Sequence, residues 1–173
     1  MFTRTEALVN DHDRLITQQI PRLRRYARAL TGDRAAADDL VQDTLERAVR
    51  KFHLWRPGDL RAWLFSIMHN VFVNQLKSRK VASDMEVDDT FAAPTPGATR
   101  SDILDLTRAL GTLAPEQREV VLLIALEDMS YADVSRALGI PMGTVMSRLS
   151  RGRERLRKAM DGEPATPPLR VVQ

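Results

Sequence analysis

From Ser130 to Arg151 the chain reads SYADVSRALGIPMGTVMSRLSR: a short amphipathic segment, a glycine-containing turn, and a second, basic segment. Ala132, Val134 and Leu138 are expected on the inner face of the first helix, and Val145, Leu149 and Leu156 on that of the second. This is the plan of a helix-turn-helix, and the chemistry open to it is recognition rather than bond-making. Met142, Thr144, Met146, Ser147, Arg148 and Arg151 stand outward at the amino-terminal end of the second helix, the end that meets base edges in a major groove. Arg148 or Arg151 offers paired N–H donors to a guanine, while serine and threonine hydroxyls reach phosphates or bases. Arg153, Arg155, Arg157 and Lys158 follow, where they can gather phosphates. An αα-hairpin with a solvated basic face shares part of this pattern. The turn, the spacing and the charge together point to duplex DNA.

The net charge of +3 over 173 residues hides how the charge is distributed. Residues 142–160 carry six Lys/Arg against one acid, directly behind residues 101–141 with three against seven. Residues 1–80 carry fifteen against nine, and residues 81–100 one against four. A basic block behind an acidic one marks a surface built for a polyanion.

Other chemistry is not indicated. The chain has no cysteine, which removes disulfides, thiolate metal sites and thiol nucleophiles. It has no phosphate-binding glycine loop and no H-E-x-x-H, and His12, His53 and His69 lack ligand spacing. The acids Asp84, Glu86, Asp88 and Asp89 lack the glycine and terminal glutamate of a calcium loop. Neither enzyme activity nor a metal or cofactor is expected. The first ten residues do not read as a signal peptide and no apolar run approaches a membrane span, so a cytoplasmic protein without membrane insertion is expected.

The elements that must position these residues are helical throughout. Apolar residues recur at helical spacing, alternation of period two is missing, and the expected fold class is all-α: two small helical domains on a flexible linker. The first spans 10–80 and the second 101–160; between them the acidic, proline-containing stretch 81–100 reads as linker, and 161–173 as a disordered tail. In the first domain the spacing predicts a weak helix over 11–19, a second starting at Pro21 and ending at Gly32, and a third from Asp33 to His53. Val41, Leu45, Ala48, Val49 and Phe52 are its inward residues. Asp59 then caps a long helix reaching Arg79 or Lys80. That helix is apolar on two faces, one through Leu60, Trp63, Leu64, Ile67 and Val71, the other through Phe65, Met68, Phe72 and Leu76. It reads as the central member of a bundle, or some of its aromatics stay accessible to stack on unpaired bases, and both can hold for different residues. Lys77, Arg79 and Lys80 at its end suit both the helix dipole and a phosphate. In the second domain a helix from Asp102 to Leu110 turns Ile103, Leu106 and Leu110 inward, and Pro115 starts the next.

Four stretches, in this order, resemble the extracytoplasmic-function (ECF) class of bacterial RNA polymerase sigma factors. They are ADDLVQDTLERA (37–48), LRAWLFSIMHNVFVNQLKSRK (60–80), LAPEQREVVLL (113–123) and the helix-turn-helix with GTVMSRLSRGRERLR (143–157). The resemblance implies a first domain corresponding to sigma region 2 and a second to region 4, with core RNA polymerase and promoter DNA as partners and an anti-sigma factor as regulator. It assigns Asp39, Gln42, Asp43 and Glu46 to the polymerase, although the residues alone read as a solvated charged face. It assigns Trp55, Arg56, Pro57, Gly58 and Asp59 to the capture of a flipped −10 base, whose unpairing costs a few kcal/mol. Asn70 would read a base edge near −10, unless its amide serves a buried bond between helices. Lys77, Arg79 and Lys80 fall on the same −10 helix, and the outward residues 142–151 together with Arg155 on the −35 reader.

Three positions depart from the family's habit: Asn74 where an acid is frequent, Met146 where lysine is, and Gly152 where alanine is. Met146 removes a cation from the groove face, and Gly152 is expected to cost ~1 kcal/mol in mid-helix. The implied function is promoter-specific initiation in the cytoplasm, nucleoid-associated when active. The rival readings are a sigma-like protein that only sequesters an anti-sigma factor, and a helix-turn-helix repressor that acts without polymerase.

Overall fold

The computed structural model describes residues 4–83 and 101–161, so the linker stretch from 84 and the tail from 162 lie outside the described residues. Seven α-helices appear among the described residues: α1 (Arg4–Thr31), α2 (Arg34–Lys51), α3 (Leu60–Ser83), α4 (Ser101–Gly111), α5 (Pro115–Ala125), α6 (Tyr131–Leu138) and α7 (Met142–Met160). One 3₁₀ turn, Phe52–Leu54, follows α2.

Local chemistry sets most boundaries where the residues predict them. Gly32 ends α1 at φ +71°, a left-handed conformation that only glycine adopts without strain. Asp33 caps α2 by accepting from the Ala36 N–H at 2.7 Å, and Asp59 caps α3 by accepting from the Ala62 N–H at 3.2 Å. Pro115 opens α5 and Gly139, at φ +64°, closes α6. Two boundaries differ. Helix α3 continues to Ser83, past the expected start of the linker. The two helices expected on either side of Pro21 are one, α1, with the proline inside it. Pro21 supplies no N–H to the preceding turn, a local cost. Ile16, Leu23, Tyr26, Ala27 and Leu30 are all buried on one stripe, and burial on both sides of the proline holds the helix in register.

Tyr26 of α1 meets Phe65 of α3 edge-on at 4.9 Å, and Phe52 anchors the end of α2 against Trp55 and Trp63 at 5.2 and 6.0 Å. In the second lobe α7 packs on α5, α6 and α4. Three apolar residues expected inside are placed otherwise. Val49 is 56% exposed, Leu106 is 42% exposed, and Ala132 faces solvent while Ala137 takes its place inside. Each lies at the rim of a stripe about 100° wide, where a one-residue rotation of the helix decides the matter. Ile103 lies outside the residues whose side chains are described.

The two lobes meet along a shared seam. They pack directly, α6 against α3 and α1 against α4 and α5, and a single apolar core runs through both. Helix α3 is therefore held between α2 and α6, which is why it is apolar on two faces. Phe65 and Phe72 are buried in that core with Met68 and do not present their rings to bases.

Polar groups pin the seam. Glu127, 1% exposed, accepts from Arg25 Nη2 at 2.9 Å, with Arg22 Nη1 at 3.9 Å from its second oxygen. Arg61 of α3 donates to the Glu127 carbonyl at 2.8 Å, and His69 Nδ1 lies 2.7 Å from Glu119 Oε1. Arg118 donates to the carbonyls of Leu110, Gly111 and Leu113 within its own lobe and to Leu30 of α1 at 2.7 Å. Burial lowers the Arg118 pKa, and its four carbonyl partners hold the guanidinium in place. Tyr26, buried beside Glu119 and Glu127, has its phenol pKa raised well above the ordinary value, first by desolvation and then by the two carboxylates.

Candidate nucleic-acid interface

The helix-turn-helix is built from the turn outward. Ser130 accepts from the Asp133 N–H at 3.1 Å and donates to the Asp133 carboxylate at 2.6 Å, so the start of α6 is fixed by a reciprocal cap. Arg136 pairs with the same carboxylate. The Ser130 hydroxyl is the main cause that holds Asp133 below the usual carboxylate range, with Arg136 adding to it. At the other end Ser135 donates to the Ile140 carbonyl at 2.6 Å, tying the turn back to α6. Val145 and Leu149 are buried, and Leu156 is half-buried against the core.

This seating decides what α7 offers. Met142, Met146 and Arg151 are exposed, while Thr144, Ser147, Arg148 and Arg155 are half-buried at the edges of the exposed face. Ser147 spends its proton on the Thr144 carbonyl at 3.1 Å. Arg157 and Lys158 both reach Glu154, at 3.3 and 3.4 Å, and Arg157 also meets Asp161 at 3.0 Å. Arg157 is the chief cause that lowers the Glu154 carboxyl, so part of the basic block is neutralised within the helix.

Gly152 has a positive reason to be glycine. A Cβ there would stand 2.7 Å from Val121 Cγ2 of α5, so the close approach of α7 to α5 needs the hydrogen. The propensity cost expected of Gly152 thus has a packing reason behind it.

In the first lobe, Asp39, Gln42 and Glu46 lie exposed along α2, with Asp43 half-buried beside them. Gln75 of α3 donates to Asp43 at 3.1 Å, and Asp39, Asp43, Asn74 and Arg79 line one groove between α2 and α3. The groove thus joins two sets of residues that the sequence keeps about 35 positions apart. Arg56, Pro57, Gly58 and Asp59 are exposed, and Trp55 is half-buried on Phe52 at the loop's start. Asn70 is exposed and donates to the Ser66 carbonyl of its own helix at 2.8 Å, so it makes no buried bond between helices. Lys77 and Arg79 are exposed; the side chain of Lys80 lies outside those described.

A family model described as the Sigma2 domain of PhyR matches residues 16–69, and one described as Sigma-70, region 4, matches 103–156. The ECF RNA polymerase sigma factor EcfG of Rhodopseudomonas palustris is 34% identical over 157 residues, covering 88% of this chain and 84% of the relative. The chain belongs to the ECF sigma factor family. SigE of Mycolicibacterium smegmatis, another ECF sigma factor, is 32% identical over 163 residues, covering 90% of this chain but 63% of that longer relative. Among solved structures, the sigma factor RpoE of Bartonella quintana, in complex with the anti-sigma factor NepR, superposes with a TM-score of 0.80 at 34% identity. It covers 87% of this sigma factor and 97% of that chain.

Reading the residues alone missed the seam. The signal was present: Arg118 and Glu119 interrupt an apolar helix, and Glu127 follows one, where solvated charges would be out of place. What they pair with is set by helices about 50 to 100 residues away.

Proposed function

We propose that this chain is an alternative sigma factor that binds core RNA polymerase and directs promoter-specific initiation, under the control of an anti-sigma factor. The observation that carries this is the exposed amino-terminal half of α7, seated on α6 in helix-turn-helix fashion and followed by arginines. In this reading α7 lies in the −35 major groove, with Arg148 and Arg151 to bases and Arg155 to the backbone. Asp39, Gln42, Asp43 and Glu46 meet the polymerase. The loop Trp55–Asp59 holds an unpaired −10 base; Asn70 reads beside it, and Lys77, Arg79 and Lys80 track phosphates. The work is physical: the chain supplies specificity and the polymerase supplies catalysis. It acts in the cytoplasm, on the nucleoid when engaged. Among the described residues no helix is long and apolar enough to cross a membrane.

Run-off transcription with purified core polymerase tests the reading. A promoter-specific transcript that appears only when the chain is added is the expected result.

A second reading is favoured by the first-lobe family model, which is the Sigma2 domain of PhyR. In it the chain occupies an anti-sigma factor and never initiates. Failure of run-off from every template, together with tight capture of an anti-sigma factor, would establish that reading instead.

A further inference from the structure

The first two turns of α7 carry an oddity that the arginine-based account of recognition leaves unused. Met142 and Met146 are 44% and 48% exposed, four residues apart on one flank of the helix. Large apolar side chains on a basic helix gain nothing from water. The helix does not need them for packing, since Val145 and Leu149 form its buried stripe. Their flank is sterically open, for a Cβ at neighbouring Gly143 would meet nothing within 4 Å.

We propose that Met142 and Met146 read the C5-methyl groups of thymines in the −35 element. This rests on α7 being the −35 reader, and adds what two of its residues recognise there. A major groove presents a single apolar group, the thymine methyl; every other base-edge feature is a donor or an acceptor. Methionine suits the task, because its flexible thioether chain moulds to an apolar partner without exact placement. Residues four apart on a helix are separated by about 6 Å along its axis, close to two base-pair steps of about 3.4 Å. The pair therefore addresses two thymines within about two steps of each other, on either strand. A lysine in place of Met146 would select an acceptor such as guanine instead, so this residue distinguishes the chain's −35 preference by chemistry rather than by strength.

The test uses the chain bound to core polymerase and a pool of duplexes randomised across −35. After selection, the winning duplex is rebuilt with deoxyuridine in place of each thymine in turn, which deletes one methyl and leaves the hydrogen-bonding edge intact. Affinity should fall about threefold to fivefold at one or two thymines, the worth of one buried methyl. In Met142→Ala and Met146→Ala the penalty should vanish at the position each one reads. Met146→Gln, of similar length, guards against a change in helix stability. A selected duplex that binds equally well with deoxyuridine throughout overturns the proposal while leaving −35 reading intact. A deoxyuridine penalty that persists unchanged in both alanine variants does the same. A pool that yields no enriched sequence at all overturns the −35 reading itself, and this proposal with it.

Discussion

At the residue scale, the side chains assigned to DNA differ in how firmly they are held. Arg148 stands at the edge of the α7 exposed face, and no ion pair to it is seen among the described residues. Arg157 is engaged by Glu154 and Asp161. A guanidinium without an acidic partner loses no ion pair on turning to a base. Arg148→Ala should therefore cost about 1–3 kcal/mol of discrimination between the selected −35 duplex and a scrambled one. Competition binding at fixed salt measures this, and equal losses on both duplexes would show that Arg148 touches only the backbone. Asn70 is a similar case. Because its amide is anchored on its own helix, α3 keeps a polar group at a constant place on an exposed surface.

At the element scale, two local devices shape the helix-turn-helix. Gly152 lets α7 approach α5, and the carbon that alanine adds would meet the stiff, β-branched Val121. Gly152→Ala should destabilise the fold by about 1–3 kcal/mol through overpacking, despite the better helix propensity of alanine. A lower denaturant midpoint with an unchanged slope would record it. The other device is the cap on α6. Asp133 has a folded pKa depressed first by the Ser130 hydroxyl, so its contribution is present above the ordinary aspartate pKa near 4 and is lost as pH falls through the lower folded value. Stability should be flat in this respect above about pH 5 and decline below about pH 4. Ser130→Ala should lower stability by about 1 kcal/mol at neutral pH and make the acid decline shallower, as thermal melts across pH 3–7 would show.

At the scale of the whole molecule, the seam is the dominant feature. Promoter elements at −35 and −10 lie roughly 25 base pairs apart, about 85 Å of duplex at ~3.4 Å per step. Helices in direct contact have axes only about 8–10 Å apart. On the proposed function, the two lobes part along the α3–α6 and α1–α5 contacts before both dock on one promoter. Glu127 is the natural point of weakness, since it is buried and is met by arginines that are themselves half in solvent. Glu127→Ala leaves Arg22 and Arg25 free to hydrate and should shift the lobes toward separation. With no native cysteine, Ala35→Cys and Ser150→Cys can carry a fluorophore pair, one on each lobe. Energy transfer should be high in the parent chain and lower in Glu127→Ala, with helicity unchanged.

Much of this protein follows from residue order alone. Asp33, Asp59 and Ser130 begin helices, Gly32 and Gly139 end them, and the apolar spacing of α5 and α7 orients their faces, because caps and stripes act over one or two turns. The helix-turn-helix was legible for the same reason. What only tertiary structure decided depends on groups distant in sequence. It settled that Pro21 sits within α1, that α3 buries both its apolar faces, that Gly152 is a contact, and that Arg118, Glu119 and Glu127 face a second lobe. Burial of a charge is favourable only when its partners are in place, and no local spacing of residues can announce a partner a hundred positions away.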